Sequence, residues 1–129
     1  MERRFPIRWR DVDAYGHVNN AVYLTYLEEV RDPWLVRALG GDPRSSWDFV
    51  LARVAIDFRR ELRLEDASVA VRCELVRIGR SSVTTREQVL SAEGWLAAEA
   101  ESVLVARDQE RGASRPLTDD ERAAIQANG

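Results

Sequence analysis

Lysine is absent from this chain, and cysteine and histidine occur once each, at Cys73 and His17. A single cysteine excludes an internal disulfide, and one histidine with one distant cysteine supplies too few ligands for zinc or iron, so no metal and no cofactor is expected. No apolar run approaches the roughly 20 residues that span a bilayer. The opening MERRFPIRW is basic but lacks the following apolar stretch that a signal peptide requires. A cytoplasmic location without membrane contact is therefore expected. With a net charge of -3 there is no basic field for a phosphate backbone, and nucleic acid is not an expected partner. The nineteen basic residues are all arginine, which reflects genome composition as readily as chemistry, although the planar guanidinium fork suits phosphates.

What is present describes a globular domain. At 129 residues, with 45% hydrophobic and 32% charged side chains, the chain suits one domain that buries roughly two-thirds of its unfolded surface. Residues 5 to 10, FPIRWR, alternate apolar and basic side chains and predict a half-buried strand. From Asn20 onward, Tyr23, Leu27, Val30 and Trp34 recur at helical spacing and form an apolar stripe. Asp32-Pro33 is expected to cap and restart a second helical piece, Gly40-Gly41 to end it, and residues 42 to 47 to form a loop. Four runs rich in Val, Ile and Leu, near residues 48 to 62, 67 to 78, 82 to 92 and 95 to 107, then predict sequential antiparallel strands. In the first of these, Val50, Ala52, Val54, Ile56 and Phe58 share one face, with Arg53, Asp57 and Arg59 on the other. Thr118 and Glu121 form a capping box for a short helix over 119 to 127, in a polar tail, 109 to 129, that lies beyond a core ending near Asp108.

The chemistry concentrates in residues 11 to 31, DVDAYGHVNNAVYLTYLEEVR. Asp13 follows the first strand, Gly16 breaks the chain, His17 comes next, and Asn19 or Asn20 opens the helix. A carboxylate thereby faces a row of backbone N–H groups, from Val18 to Ala21, that the helix leaves unsatisfied and that carry its positive end. Such groups suit an oxyanion in acyl transfer. Glu28 and Arg31, three apart, are expected to pair on the helix surface, and Cys73 is expected in the core.

This segment strongly resembles the motif D-x-D-x-x-G-H-V-N-N-x-x-Y-L-x-Y-x-E-x-x-R of the hotdog-fold acyl-CoA thioesterases, the group that includes 4-hydroxybenzoyl-CoA thioesterase and its long-chain acyl-CoA relatives. Asp11, Asp13, Gly16, His17, Val18, Asn19, Asn20, Tyr23, Leu24, Tyr26, Glu28 and Arg31 match as they stand. The resemblance implies a single α+β hotdog domain over residues 1 to 108, a long helix wrapped by an antiparallel sheet of about five strands in the order β-α-β-β-β-β. It implies hydrolysis of an acyl-CoA thioester, with Asp13 as nucleophile or as the base that activates water. His17 assists, Gly16, Val18, Asn19 and Asn20 form the oxyanion and positioning loop, and Asp11 is structural. Tyr15, Tyr23 and Tyr26 are expected at the substrate pocket. Ile78-Gly79-Arg80-Ser81-Ser82 resembles the family's I-G-x-S-S turn, which makes Gly79, Arg80, Ser81 and Ser82 candidates for holding CoA, with Arg59 and Arg60 as further candidates. The resemblance also implies a homo-oligomer, a dimer or tetramer. Hydrolysis of an acyl carrier protein thioester and acyl-CoA binding without turnover are the alternatives.

Overall fold

Asn19 opens the long helix α1, Asn20–Ala38, because its side-chain Oδ1 accepts from the Ala21 N–H at 2.9 Å. The computed structural model describes residues 1–129, and in it α1 runs unbroken through Pro33, so the expected restart does not occur. Proline cannot supply the N–H that Glu29 O would normally accept. The Arg3 guanidinium donates to that carbonyl instead, at 3.3 Å, across from the amino-terminal strand. Gly40 and Gly41 end the helix at φ of +103° and +97°, with the Gly41 N–H donating to Val36 O.

Around α1 curls a sheet of β1 (Glu2–Pro6), β2 (Phe49–Phe58), β3 (Ser68–Ile78), β4 (Ser82–Ser91) and β5 (Leu96–Asp108) in the spatial order β1-β3-β4-β5-β2, with a short β6 (Ala113–Ser114) paired to β5. All pairings are antiparallel. The sequential order of elements is the expected hotdog order, but β2 lies beside β5 rather than β3, so the four later strands do not pair simply as neighbours in sequence. Tyr23, Leu27, Val30 and Trp34 face the sheet, which meets them with Val71, Cys73, Val83, Val89, Ala98 and Ala100. The small side chains of β5 leave room for the indole and phenol rings. The opposite sheet face is polar and laced by cross-strand pairs such as Arg72–Glu2 and Arg86–Glu74. No helix is long and apolar enough to cross a membrane.

Local polar bonds shift several boundaries. β1 lies at Glu2–Pro6 rather than over 5 to 10, and Trp9–Asp11 forms a 3-10 turn. There the Asp11 carboxylate accepts from the Arg8 N–H at 2.9 Å, which overrides the period-two pattern. Residues Pro43–Ser46 form another such turn, capped by Asp42. β2 stops at Phe58, where the Arg59 and Arg60 N–H groups both turn to Ala97 O. A bulge at Ala52, where the register skips from Leu51 to Arg53, moves the inward face from Phe49 and Leu51 to Val54, Ile56 and Phe58, so the single parity expected for β2 holds only after it. The tail is not separate from the core either. Its helix α2 (Asp119–Asn128) begins at the predicted Thr118–Glu121 box, and Leu117 and Ile125 are buried in the main cluster.

The expected Glu28–Arg31 pair is replaced by a buried one. Arg31 points into the sheet, 3.6 Å from Glu87 and 3.3 Å from the Ser102 hydroxyl, while Glu28 stays exposed. Thr85 and Ser102 donate to the two Glu87 oxygens at 2.7 and 3.0 Å. Burial pushes the Glu87 carboxyl above the usual carboxylate range, with Thr85, Arg31 and Ser102 pulling against it. Burial likewise pushes the neighbouring Cys73 thiol up to about 12, so it packs as a small apolar group. Glu87→Ala is expected to lose about 3–5 kcal/mol, because it leaves the Arg31 cation buried without a partner. Arg31→Met combined with Glu87→Leu should recover most of that loss. Urea unfolding of the three proteins checks both statements.

Candidate active site

The Asp13 loop is a miniature hairpin. Val12 bridges Val18, the Asp13 N–H donates to His17 O at 3.1 Å, and the Gly16 N–H returns to Asp13 O at 3.1 Å. Gly16 closes the turn at φ +85°, a conformation that a side chain would strain. The half-buried Asp13 carboxylate accepts from the Tyr15 N–H through Oδ1 at 2.9 Å and from Asn19 Nδ2 through Oδ2 at 3.4 Å. One asparagine thus caps the helix and holds the carboxylate, while Asn20 is the first residue inside the helix.

Not every N–H at the helix start is free. The Val18 N–H donates to Leu62 O at 2.7 Å and the Asn19 N–H to Asp11 O at 2.9 Å, so these two expected donors are already committed. Ala21 N–H is taken by the Asn19 cap, and Val22 N–H by Asn19 O. Asn20 N–H alone among them has no acceptor in the chain. Asp11 is 2% exposed and accepts from Arg8 N–H, the Arg8 guanidinium and the Tyr26 hydroxyl. Burial alone would raise its pKa, but those three donors outweigh it and hold the carboxyl below the ordinary value.

Beside the loop lies a cleft of about 200 Å³ lined by His17, Val18, Asn20, Tyr23, Phe58, Arg59, Arg60 and Glu61. Asp13 adjoins it through His17 rather than lining it. The Tyr23 ring meets Phe58 edge-on at 5.1 Å, and burial raises the Tyr23 hydroxyl above its ordinary pKa. Tyr15 is 82% exposed and stacks on the His17 imidazole at 6.1 Å. Tyr26, by contrast, is not at this cleft, because its hydroxyl turns away to Asp11. Of the two candidate arginines, Arg59 is engaged by Glu99 at 2.6 Å and Asp57 at 3.7 Å. Arg60 has no carboxylate partner and lies 4.1 Å above the Trp95 ring.

Gly79, Arg80, Ser81 and Ser82 are not brought to this cleft within one chain. Ser82 pairs with Val105 at one end of the sheet, whereas Phe58 pairs with Ala98 at the other. The seven-residue step from Val105 to Ala98 along β5 separates the two positions by roughly 23 Å at ~3.3 Å per residue. The carboxy-terminal segment holds this turn, with Leu117 N–H donating to Arg80 O and the Arg122 guanidinium to Gly79 O, both at 2.9 Å. Phe58, Glu61, Leu62 and Trp95 complete the cleft and its surroundings without any motif to announce them. Phe58 and Glu61 reach the lining beside His17, and Leu62 reaches the Val18 N–H, only through the fold, while Trp95 lies beneath Arg60. No cluster of three or more His, Cys, Asp or Glu side chains is disposed to hold a metal.

The family model of the thioesterase-like superfamily matches residues 7–125. The long-chain acyl-CoA thioesterase FadM of Escherichia coli (strain K12) is 30% identical over 115 residues, 84% of this chain and 83% of that protein. A crystal structure of a thioesterase from Thermus thermophilus, complexed with coenzyme A and Zn, is 36% identical and superposes with a TM-score of 0.87 over 98% of this chain and 91% of that one. The PA2801 protein of Pseudomonas aeruginosa is 31% identical, with a TM-score of 0.81 over 96% of each chain.

Asp11→Asn is expected to lower stability by about 1–3 kcal/mol at neutral pH, since it removes a buried anion from three donors. The folded pKa lies below the ordinary 3.8, so the stabilisation is present above that value and is lost as pH falls through the folded one. Thermal unfolding at neutral pH and at about pH 3 should therefore show the gap between wild type and variant narrowing in acid.

Proposed function

The chain belongs to the thioesterase-like superfamily, and we propose that Asp13 carries the chemistry by which it hydrolyses acyl-CoA thioesters. The observation that supports this reading most directly is the pairing of a held carboxylate with one free N–H at the start of a 19-residue helix. The thioester carbonyl oxygen accepts from Asn20 N–H, where the helix's positive end stabilises the developing oxyanion. Asp13 attacks the carbonyl carbon to form a mixed anhydride that water then hydrolyses, or it draws a proton from a water that attacks the carbonyl, with Asn19 and the Tyr15 N–H fixing its orientation. His17, on the next turn of the loop, positions the carbonyl or the water. The thiolate of CoA departs without a general acid, because it is a good leaving group.

CoA phosphates are taken by Arg60, the cleft arginine without a carboxylate partner. Gly79, Arg80, Ser81 and Ser82 contribute from a second copy of the chain. β2 supports such pairing, since it is an edge strand with Leu51 and Phe58 exposed on an otherwise inward face. Two copies joined antiparallel through β2 bring the far end of one sheet toward the Phe58 end of the other. The assembly is a homodimer or a tetramer built from such dimers, and its place is the cytoplasm.

Free CoA release from a panel of aromatic, short, medium and long acyl-CoAs tests the activity, with a thiol-reagent blank for Cys73. Asp13→Asn is expected to lower kcat at least about 10²-fold. Turnover of acyl carrier protein thioesters alone would overturn the CoA reading, and tight acyl-CoA binding without thiol release would overturn catalysis. Asn20→Pro isolates the oxyanion donor. Proline suits the first helical position, and Asn19 already has the extended φ of -63° and ψ of 140° that a following proline favours. This variant should fold with wild-type stability and lose about 10²–10³-fold in kcat.

A further inference from the structure

We propose that Glu61 is a positioning residue of this active site, acting on the reaction through His17. The inference rests on the acyl-CoA hydrolysis reading of the cleft. Glu61 is the one carboxylate lining that cleft, and its Oε1 lies 3.9 Å from His17 Nε2. Its other oxygen is held by the Arg63 guanidinium at 3.1 Å, so Oε1 is the oxygen that remains for the imidazole. Arg63 in turn lies over the loop, with Nη1 3.8 Å from where a Cβ on Gly16 would sit. Between them Leu62 is fully buried and its carbonyl accepts the Val18 N–H at 2.7 Å, which fixes the Glu61–Arg63 backbone against the His17–Val18 backbone.

The consequence concerns the imidazole's two nitrogens. A carboxylate opposite Nε2 favours the tautomer with the proton on Nε2, which leaves Nδ1 as the acceptor. The Tyr15 ring, stacked at 15° to the imidazole, limits its rotation. His17 is then presented with a defined acceptor nitrogen, Nδ1, for the attacking water. At 3.9 Å the pair is wider than a hydrogen bond, and such pairs commonly tighten when substrate excludes water. The Glu61 side chain is 58% exposed, so its pairing adds little to stability. A function through His17 is what separates it from the other surface ion pairs.

Because His17 is the only histidine, its imidazole nitrogen signals in an NMR spectrum need no assignment. In Glu61→Gln the neutral ring should move away from the Nε2–H tautomer, and unchanged tautomer populations would overturn the proposal. In the CoA-release assay Glu61→Gln should lower kcat about tenfold, a smaller effect than full loss of an acid–base group, with KM and the unfolding midpoint nearly unchanged. Glu61→Asp should restore part of kcat. In a His17→Gln background the same Glu61→Gln change should have no further effect. An equal loss in both backgrounds, or a loss confined to KM, would show that Glu61 does not act through His17. Wild-type kcat in Glu61→Gln, with Asp13→Asn still inactive, overturns this inference alone, whereas absence of turnover by the wild type overturns it together with the hydrolase reading.

Discussion

The Asp11 carboxylate is the joint on which the site is assembled. One buried side chain collects the Arg8 N–H and guanidinium at the end of the amino-terminal strand and the Tyr26 hydroxyl from the middle of the helix, and its backbone carbonyl takes the Asn19 N–H at the helix start. Three pieces of chain therefore meet at one residue. Because that residue is nearly inaccessible to water, its hydrogen bonds act in a low dielectric and leaving any of the donors unpaired would be costly. Asp13, two residues on, is free of that duty, and its carboxylate is the one proposed for the chemistry.

The helix start shows the same division of labour. The first N–H groups of a helix have no partner within it, and here the fold satisfies those of Val18, Asn19, Ala21 and Val22 while leaving Asn20 open. One open donor at the positive end of a long helix is enough for a carbonyl oxygen. Deeper in the molecule, Arg31 and Glu87 fix how the helix is rotated against the sheet, since only one rotation places the guanidinium beside the single carboxylate of the inner face. The Nε of Arg31 stays unpartnered, so the pair contributes to specifying that rotation more than to net stability.

The parts of this protein that were legible in its sequence are those set by short-range pattern. The apolar stripe of Tyr23, Leu27, Val30 and Trp34, the strand series after Phe49 and the Thr118–Glu121 box all lie where periodicity and capping rules place them. The motif around Asp13 also carried the family and the reaction class. What was not legible depends on contacts between distant residues. Pro33 reads as a helix breaker until Arg3 is seen to supply the missing donor. Arg31 reads as a surface partner of Glu28 until β4 delivers Glu87 beneath the helix. The bulge at Ala52 changes which β2 residues face inward, and nothing local in LARVA marks it. Val18 and Asn19 had the right positions for oxyanion donors, but the carbonyls that engage them come from Leu62 and Asp11.

The exposed aromatic surface around the cleft limits what one chain can do alone. Tyr15 and Phe58 stand largely in water on either side of His17 and Tyr23, and Leu24 continues the patch one helical turn beyond Asn20. A cleft of about 200 Å³ bounded by such groups is too small to enclose a long acyl chain, which binding sites normally bury over most of its surface. The elements that would cover it are the ones the single chain lacks: a neighbour along the open edge of β2, and the Gly79–Ser82 turn that one chain holds at the wrong end of its sheet. Asp11, Asn19 and Leu62 thus fix the proposed catalytic groups within one chain, and under the proposed pairing of two copies the walls that select the acyl group would come from the assembly. Changes that alter acyl preference should accordingly map to the exposed side chains of Tyr15, Leu24 and Phe58 rather than to the carboxylate of Asp13 and the asparagine that holds it.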